Sequence, residues 1–151
     1  MKFSAQEEYG LRCLLQVAKA GDGASLAIPE IGRLEGLSQA NVAKLTRLLR
    51  KGSYVIASRG QSGGYTLGRR PSEIAVGEVL AFLGGRLYDA GFCDRHKGTA
   101  LMCTHSIDCS LRSLWSSLQF AVDEVVDKMT LDHLLPKQEA ELLRVELEHS
   151  R

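Results

Sequence analysis

The chain has 151 residues and a mass of 16.5 kDa, enough for one domain with its own core plus an appendage. At 44% hydrophobic and 25% charged residues it is neither disordered nor fibrous; charged residues interrupt every apolar stretch, so no signal peptide or membrane span is expected and the protein is expected in the cytoplasm. The net charge of +1 conceals a division: residues 1–72 carry eleven Lys and Arg against five Asp and Glu, whereas residues 73–151 carry eight against thirteen. A basic half joined to an acidic half points to a polyanionic partner for the first, against the plainer reading that the charges merely solvate two faces. Four cysteines in a cytoplasmic chain read as buried, metal-bound or redox-sensing rather than disulfide-paired.

Ser4 can cap a first helix, with Glu7 three residues on as in a capping box, and Tyr9, Leu11, Leu14, Leu15 and Ala18 supply its apolar face. Gly21 to Gly23 stop it. Cys13 lies within this helix and reads as a small buried hydrophobe, while Glu7 and Glu8 complement the helix dipole in the first turn. A second helix over 28–34 opens at Pro29, and residues 35–37 turn into a third helix capped by Ser38, with Val42, Leu45, Leu48 and Leu49 on one face and Gly52 at its end. That is a helix-turn-helix. Tyr54, Val55 and Ile56 then read as a strand that turns through the glycine-rich 59–64 and returns as Tyr65, Thr66 and Leu67, the outline of a wing.

Between Glu35 and Glu73 there is no acidic residue, but seven basic ones: Lys44, Arg47, Arg50, Lys51, Arg59, Arg69 and Arg70. In a helix-turn-helix the second helix enters the major groove, which makes Gln39 and Asn41 candidates for base edges and Ser38, Lys44 and Arg47 for groove or phosphate contacts. Arg59 at the wing tip suits a narrow minor groove, with Gln61, Ser62 and Gly63 beside it where the backbone can approach DNA closely.

Past the wing, residues 74–76 read as a short strand, and Val79, Leu80, Phe82 and Leu83 as a small helix broken by Gly84 and Gly85. Residues 86–108 show no period and hold or adjoin Cys93, Cys103 and Cys109, with nine and five residues between them. Three thiols so close are in reach of one soft metal centre, but no CxxC pair fixes a tetrahedral site, so the spacing alone leaves three unligated thiols equally open. From Cys109 to Met129 the pattern is one long helix carrying Leu111, Leu114, Trp115, Leu118, Ala121, Val122, Val125, Val126 and Met129. This stripe is wider than one small wing domain can cover; part is expected in the core and the surplus against the same helix of a second subunit. Thr130 caps a short helix ended by Pro136, and the acidic tail beyond is helical by propensity.

The opening MKFSAQEEYGLRCLLQVA, the segment LRKGSYV and above all the wing SRGQSGGYTLGRRPSEIAVGEVL resemble the winged-helix iron–sulfur cluster regulators of the IscR/NsrR-like type, over nearly the whole chain to Leu135. The resemblance implies a homodimeric transcriptional regulator bound to a double-stranded DNA operator, with an iron–sulfur cluster, 2Fe-2S or 4Fe-4S, on a cysteine-bearing loop after the wing domain. It makes Cys93, Cys103 and Cys109 the cluster ligands. Some members add a histidine shortly after the third cysteine, but Arg112 occupies that position here; others use a carboxylate from the first helix of the opposite subunit, where Glu8 stands. Glu8 is the preferred fourth ligand and His105, two residues after Cys103, the local alternative.

The fold expected is therefore mainly α with a small β-hairpin wing: a winged helix-turn-helix over 1–84, a cysteine-bearing loop over 85–108, a dimerisation helix and following short helix over 109–135, and a tail over 136–151. The rival functions are a cluster-free, thiol-redox-sensing regulator of the same fold and a zinc-stabilised DNA-binding module. No catalytic nucleophile, phosphate loop or cofactor fingerprint is present, so neither an enzyme nor a small-molecule substrate is expected.

Overall fold

The computed structural model describes residues 1–60 and 63–136. Gln61, Ser62 and the tail from residue 137 onward, for which expectations are given above, lie outside the described residues. Helix α1 (Ala5–Lys19) begins with the capping box read from Ser4 and Glu7. The Glu7 N–H donates to Ser4 Oγ at 3.2 Å and the Ser4 N–H to the Glu7 carboxylate at 2.6 Å, so two otherwise orphaned donors at the helix start are satisfied. Helix α2 (Ile28–Glu35) has proline in its first turn, where the missing N–H costs nothing, and ends at Gly36 with φ 67°, a left-handed conformation that glycine adopts without strain.

Two residues on, Ser38 Oγ accepts from the Asn41 N–H at 3.2 Å and starts α3 (Gln39–Lys51). Val42, Leu45 and Leu49 bury its inner face with Thr46, whose hydroxyl donates to the Val42 carbonyl at 2.8 Å. Strand β1 (Val55–Ser58) runs antiparallel to β2 (Gly64–Leu67), with Val55 opposite Leu67 and Ser58 opposite Gly64. The hairpin has a third backbone partner in Leu26, which exchanges hydrogen bonds of 3.0 and 2.9 Å with Tyr65. Gly64, at φ 155°, lies where a Cβ would press on the Leu26 carbonyl and the Ala27 nitrogen, so the wing motif needs glycine there for close approach.

A 3-10 turn (Pro71–Glu73) leads to α4 (Val76–Gly84), α5 (Phe92–Arg95), α6 (Ser110–Val126) and a second 3-10 turn (Leu131–Leu134). The core lies between α1, α2, α3, β1 and α4, where Leu14, Ile31, Val42, Leu45, Leu49, Val55, Ile74 and Val79 are fully buried together with Leu131. Among the described residues no helix is long and apolar enough to cross a membrane.

Three readings of the sequence are corrected. Residues 74–76 do not form a strand: Ala75 makes a single bridge with Thr130, flanked by Val76 N–H to Met129 O at 2.9 Å and Leu131 N–H to Ile74 O at 2.8 Å. The long helix stops at Val126, so Met129 lies beyond it in this bridging segment rather than on the helical stripe. Nor does part of the stripe enter the core: the one buried residue of α6 is Gln119, while Leu111, Leu114 and Val125 are 54, 48 and 61% exposed. Phe120, outside the stripe, is 66% exposed.

Candidate nucleic-acid interface and cysteine loop

The outer side of α3 carries Gln39, Ala40, Lys44, Arg47 and Lys51, all exposed, while Asn41 is half-buried and the Ser38 hydroxyl is engaged in its cap. Ala40, Lys44, Arg47 and Lys51 recur at intervals of four, three and four and so share one stripe along the helix. The first turn of α3 holds no acidic residue. Among the described residues, Lys44, Arg47, Arg50, Lys51 and Arg59 enter no ion pair, and Arg59 and Gly63 are exposed at the wing tip. Arg69 differs: it is paired with Glu78 and stacked over Tyr54.

The helix-turn-helix is held to α1 by a polar cluster that the sequence reading missed. Glu35, the last residue of α2, has a side chain only 10% exposed; its carboxylate accepts from Arg12 Nε at 2.6 Å and Gln16 Nε2 at 2.5 Å, and its carbonyl from Arg12 Nη2 at 2.8 Å. Burial works to raise the Glu35 carboxyl, but the hydrogen bonds from Gln16 and Arg12 and the charges of Arg12 and Lys19 outweigh it and hold the group below the usual carboxylate range. A carboxylate lowered in this way stabilises the fold above its unfolded value, near 4.5, and that contribution is lost as pH falls through the folded value. Glu35→Gln should therefore be less stable than wild type at neutral pH, with the gap closing below pH 4.5; denaturant titrations at pH 7 and below pH 4.5 measure this, and a gap independent of pH would contradict it.

Three of the four cysteines are half-exposed free thiols, Cys93 in α5, Cys103 in the following turns and Cys109 at the N-terminal edge of α6. Cys13 is fully buried in α1, and burial, reinforced by the Glu35 charge, pushes its thiol up to about 11, so it stays protonated at neutral pH. The first part of the loop is fastened to α6. Arg86 pairs with Asp123, the Tyr88 N–H donates to Gln119 Oε1 at 3.0 Å, and Gln119 Nε2 donates to Asp123 at 2.8 Å, which gives the one buried side chain of α6 its partners.

Phe92 lies among Tyr88, His96 and Trp115 with ring centroids 5.2, 4.2 and 6.3 Å away, so Cys93 sits on a packed turn rather than in the structureless loop expected from sequence. Leu101, Met102 and Ile107 around Cys103 are exposed. Glu8, on α1, has a side chain 59% exposed, its carboxylate 4.0 Å from Arg12 Nη1; His105 is also exposed. Among the described residues, no three His, Cys, Asp or Glu side chains converge on a point where a metal ion could sit. The donor set fits a soft metal in kind, as three thiols free of disulfides, and would have to be gathered from the loop to bind one.

A capped recognition helix, a basic outer stripe and a glycine-tipped hairpin define a winged-helix transcriptional regulator. The match to known proteins agrees: residues 3–137 fit the family model described as Rrf2, iron-dependent transcriptional regulator, and the chain belongs to the Rrf2 family. It is 29% identical over 141 residues to the HTH-type transcriptional regulator IscR of Aliivibrio salmonicida, covering 93% of this chain and 81% of that one. Protein rrf2 of Nitratidesulfovibrio vulgaris is 30% identical over 135 residues, covering 89% of this chain and 87% of the relative. Among solved structures, CymR, the global cysteine regulator of B. subtilis, superposes with a TM-score of 0.70 at 28% identity, over 89% of this chain and 95% of the other. IscR of T. potens does so with 0.69 at 26%, over 89 and 85%. The chain is a transcriptional regulator rather than an enzyme.

Proposed function

We propose that the protein binds a double-stranded DNA operator as a homodimer and that its operator affinity is set by an iron–sulfur cluster held by Cys93, Cys103 and Cys109, with Glu8 from the first helix of the opposite subunit as fourth ligand and His105 as the alternative. The observation that carries this reading is the placement of three free, half-exposed thiols between the wing domain and α6, a helix on which Leu111, Leu114 and Val125 are exposed. The relatives named IscR support it. When bound, the cluster would supply a centre that oxidants or nitric oxide can alter. The protein's own part is to hold two thiols on α5 and at the edge of α6 and to bring the third from the turns between them. Glu8 lies on the same helix as Arg12, which binds the helix-turn-helix through Glu35, so ligands drawn to the loop would bear on both DNA-binding and dimer elements.

On the DNA side, Gln39 and Asn41 read bases, Lys44 and Arg47 hold phosphates beside the Ser38 cap, and Arg59 enters the minor groove with Gln61, Ser62 and Gly63 along the wing. Arg59→Ala is expected to weaken binding to a duplex selected by the wild-type protein, and Lys44→Ala to weaken all sequences alike while lowering the salt dependence by about one ion per site. Gel-shift titration at several salt concentrations measures both, and unchanged binding by Arg59→Ala would remove the wing contact.

The cluster is tested by anaerobic purification with iron and sulfide analysis, then operator binding by the loaded protein, the stripped protein and a variant with Cys93, Cys103 and Cys109 all changed to Ala. Affinities differing by about tenfold between loaded and stripped forms, a shift of about 1.4 kcal/mol, are expected; equal affinities for all three would show that these cysteines do not control binding. Glu8→Ala should alter the spectrum, and a change confined to His105→Ala would transfer the fourth position. A second reading, thiol sensing without a cluster, is favoured by the half-exposed free thiols and by the likeness to CymR of Staphylococcus aureus in its oxidized form, at TM-score 0.69 and 26% identity. It predicts a colourless protein whose operator binding responds to peroxide and is restored by dithiothreitol.

A further inference from the structure

Arg69 belongs by sequence to the basic stretch between Glu35 and Glu73, yet its guanidinium is engaged within the protein. Its Nη2 donates to the Glu78 carboxylate on α4, its Nη1 lies 3.4 Å from the Glu73 carbonyl, and its central carbon sits 5.3 Å over the Tyr54 ring. Tyr54 is itself fixed on four sides. Its hydroxyl donates to the Glu78 carbonyl at 3.3 Å, its ring meets Phe82 edge-on at 5.5 Å, its N–H donates to Leu49 at 3.0 Å, and its carbonyl accepts from Gly68 at 2.9 Å.

Tyr54 immediately precedes β1 and Arg69 follows β2 by two residues, so both feet of the wing hairpin are fastened to one spot on α4. The hairpin itself is only four residues a side, and a two-stranded ribbon of that length has little rigidity of its own. Leu26 holds β2 at Tyr65, and the anchorage of the base at Tyr54 and Arg69 sets the direction in which the hairpin leaves α4.

We propose that Arg69 is a positioning residue for DNA binding: clamped between Tyr54 and Glu78, it sets the angle at which the wing presents Arg59, and it does not contact phosphate. The inference rests on the reading that the wing touches DNA. An ion pair this exposed contributes little to folding, since each partner's side chain is more than a third accessible, so the clamp's effect lies in orientation. Lysine cannot replace it, because only the planar guanidinium can stack on a ring while bonding carboxylate and carbonyl together.

The test compares Arg69→Lys, Arg69→Ala, Glu78→Gln and Arg59→Ala, singly and in pairs, on a duplex selected by the wild-type protein from a random-sequence pool. Affinity is measured across a salt series, with thermal melts reporting folding. Arg69→Lys, Arg69→Ala and Glu78→Gln should each weaken binding about three- to tenfold with the salt slope unchanged, and none should weaken it further once Arg59 is alanine. If Arg69→Lys binds as wild type while Arg69→Ala lowers the slope by about one ion, Arg69 is a phosphate contact and the proposal fails. Wild-type affinity in Glu78→Gln also overturns it, as does a loss from Arg69→Lys that adds in full to that of Arg59→Ala. Wild-type binding by Arg59→Ala alone would instead remove the wing contact on which the inference stands.

Discussion

Leu118→Asp in α6 is expected to yield monomers that hold operator DNA on the order of a hundredfold more weakly than wild type, because two half-sites joined in one particle gain that much from effective concentration. The physical ground is the state of α6 in the single chain. Leu118, Val122, Val125 and Val126 line an apolar groove of about 620 Å³ between α4, α6 and residues 1–3, and Leu111 and Leu114 extend the same helix into solvent. Exposed apolar area of this extent on a helix suits a partner surface, and in the homodimer proposed above a second copy would supply it, with the two-fold symmetry that a palindromic operator requires. Burying an unpaired carboxylate at that contact costs several kcal/mol. Leu114→Asp, at a residue 48% exposed, should do the same without disturbing the fold of the protomer. Sedimentation equilibrium distinguishes the cases, and a wild-type monomer at micromolar concentration would refute the dimer.

The second large effect is expected at Leu131. This residue lies in the turn after α6 yet is fully buried in the core of the DNA-binding unit, and its N–H donates to the Ile74 carbonyl at 2.8 Å. Leu131→Ala should cost about 2–5 kcal/mol through lost burial and a residual cavity. At about 2–4 °C per kcal/mol for a chain of this size, the melting temperature falls by roughly 4–20 °C. The variant should also loosen the end of α6, since backbone bonds beside Leu131 join it to α4. Calorimetry measures the loss, and a drop under about 2 °C would mean that this turn is not part of the cooperative core.

What was legible in the sequence was local. Ser4 with Glu7, Ser38 before an apolar periodicity, Pro29 in a first turn and the turn around Gly36 each act within four residues, and each stands where the sequence places it. What was not legible depends on contacts between distant segments. Leu26 gave no sign that it would pair with Tyr65, because a lone bridge has no periodicity. Arg12, Gln16 and Glu35 are separated by helix turns that bring their side chains together only when α1 packs on α2. Arg69 falls in the basic stretch between Glu35 and Glu73, and the sequence does not show that it pairs with Glu78, because that partner lies across a turn and charge alone does not show which cations are already spent. On the cysteine loop, the fastening of Phe92 to Trp115 and of Tyr88 to Gln119 needed α6 to be in place first.

The bonds from Val76 to Met129 and from Leu131 to Ile74 close the chain into a ring: it leaves the DNA-binding unit at the end of α4, after residue 84, and returns beside the start of that helix. Everything between is an excursion with pinned ends, and lengthening such a segment costs only logarithmically, about 0.6 kcal/mol for each doubling of a flexible stretch. The residues separating Cys93 from Cys103 can thus grow or shrink with almost no thermodynamic consequence for the wing domain. The nine-residue gap between Cys93 and Cys103 is therefore a length that loop closure opposes only slightly more than a shorter one.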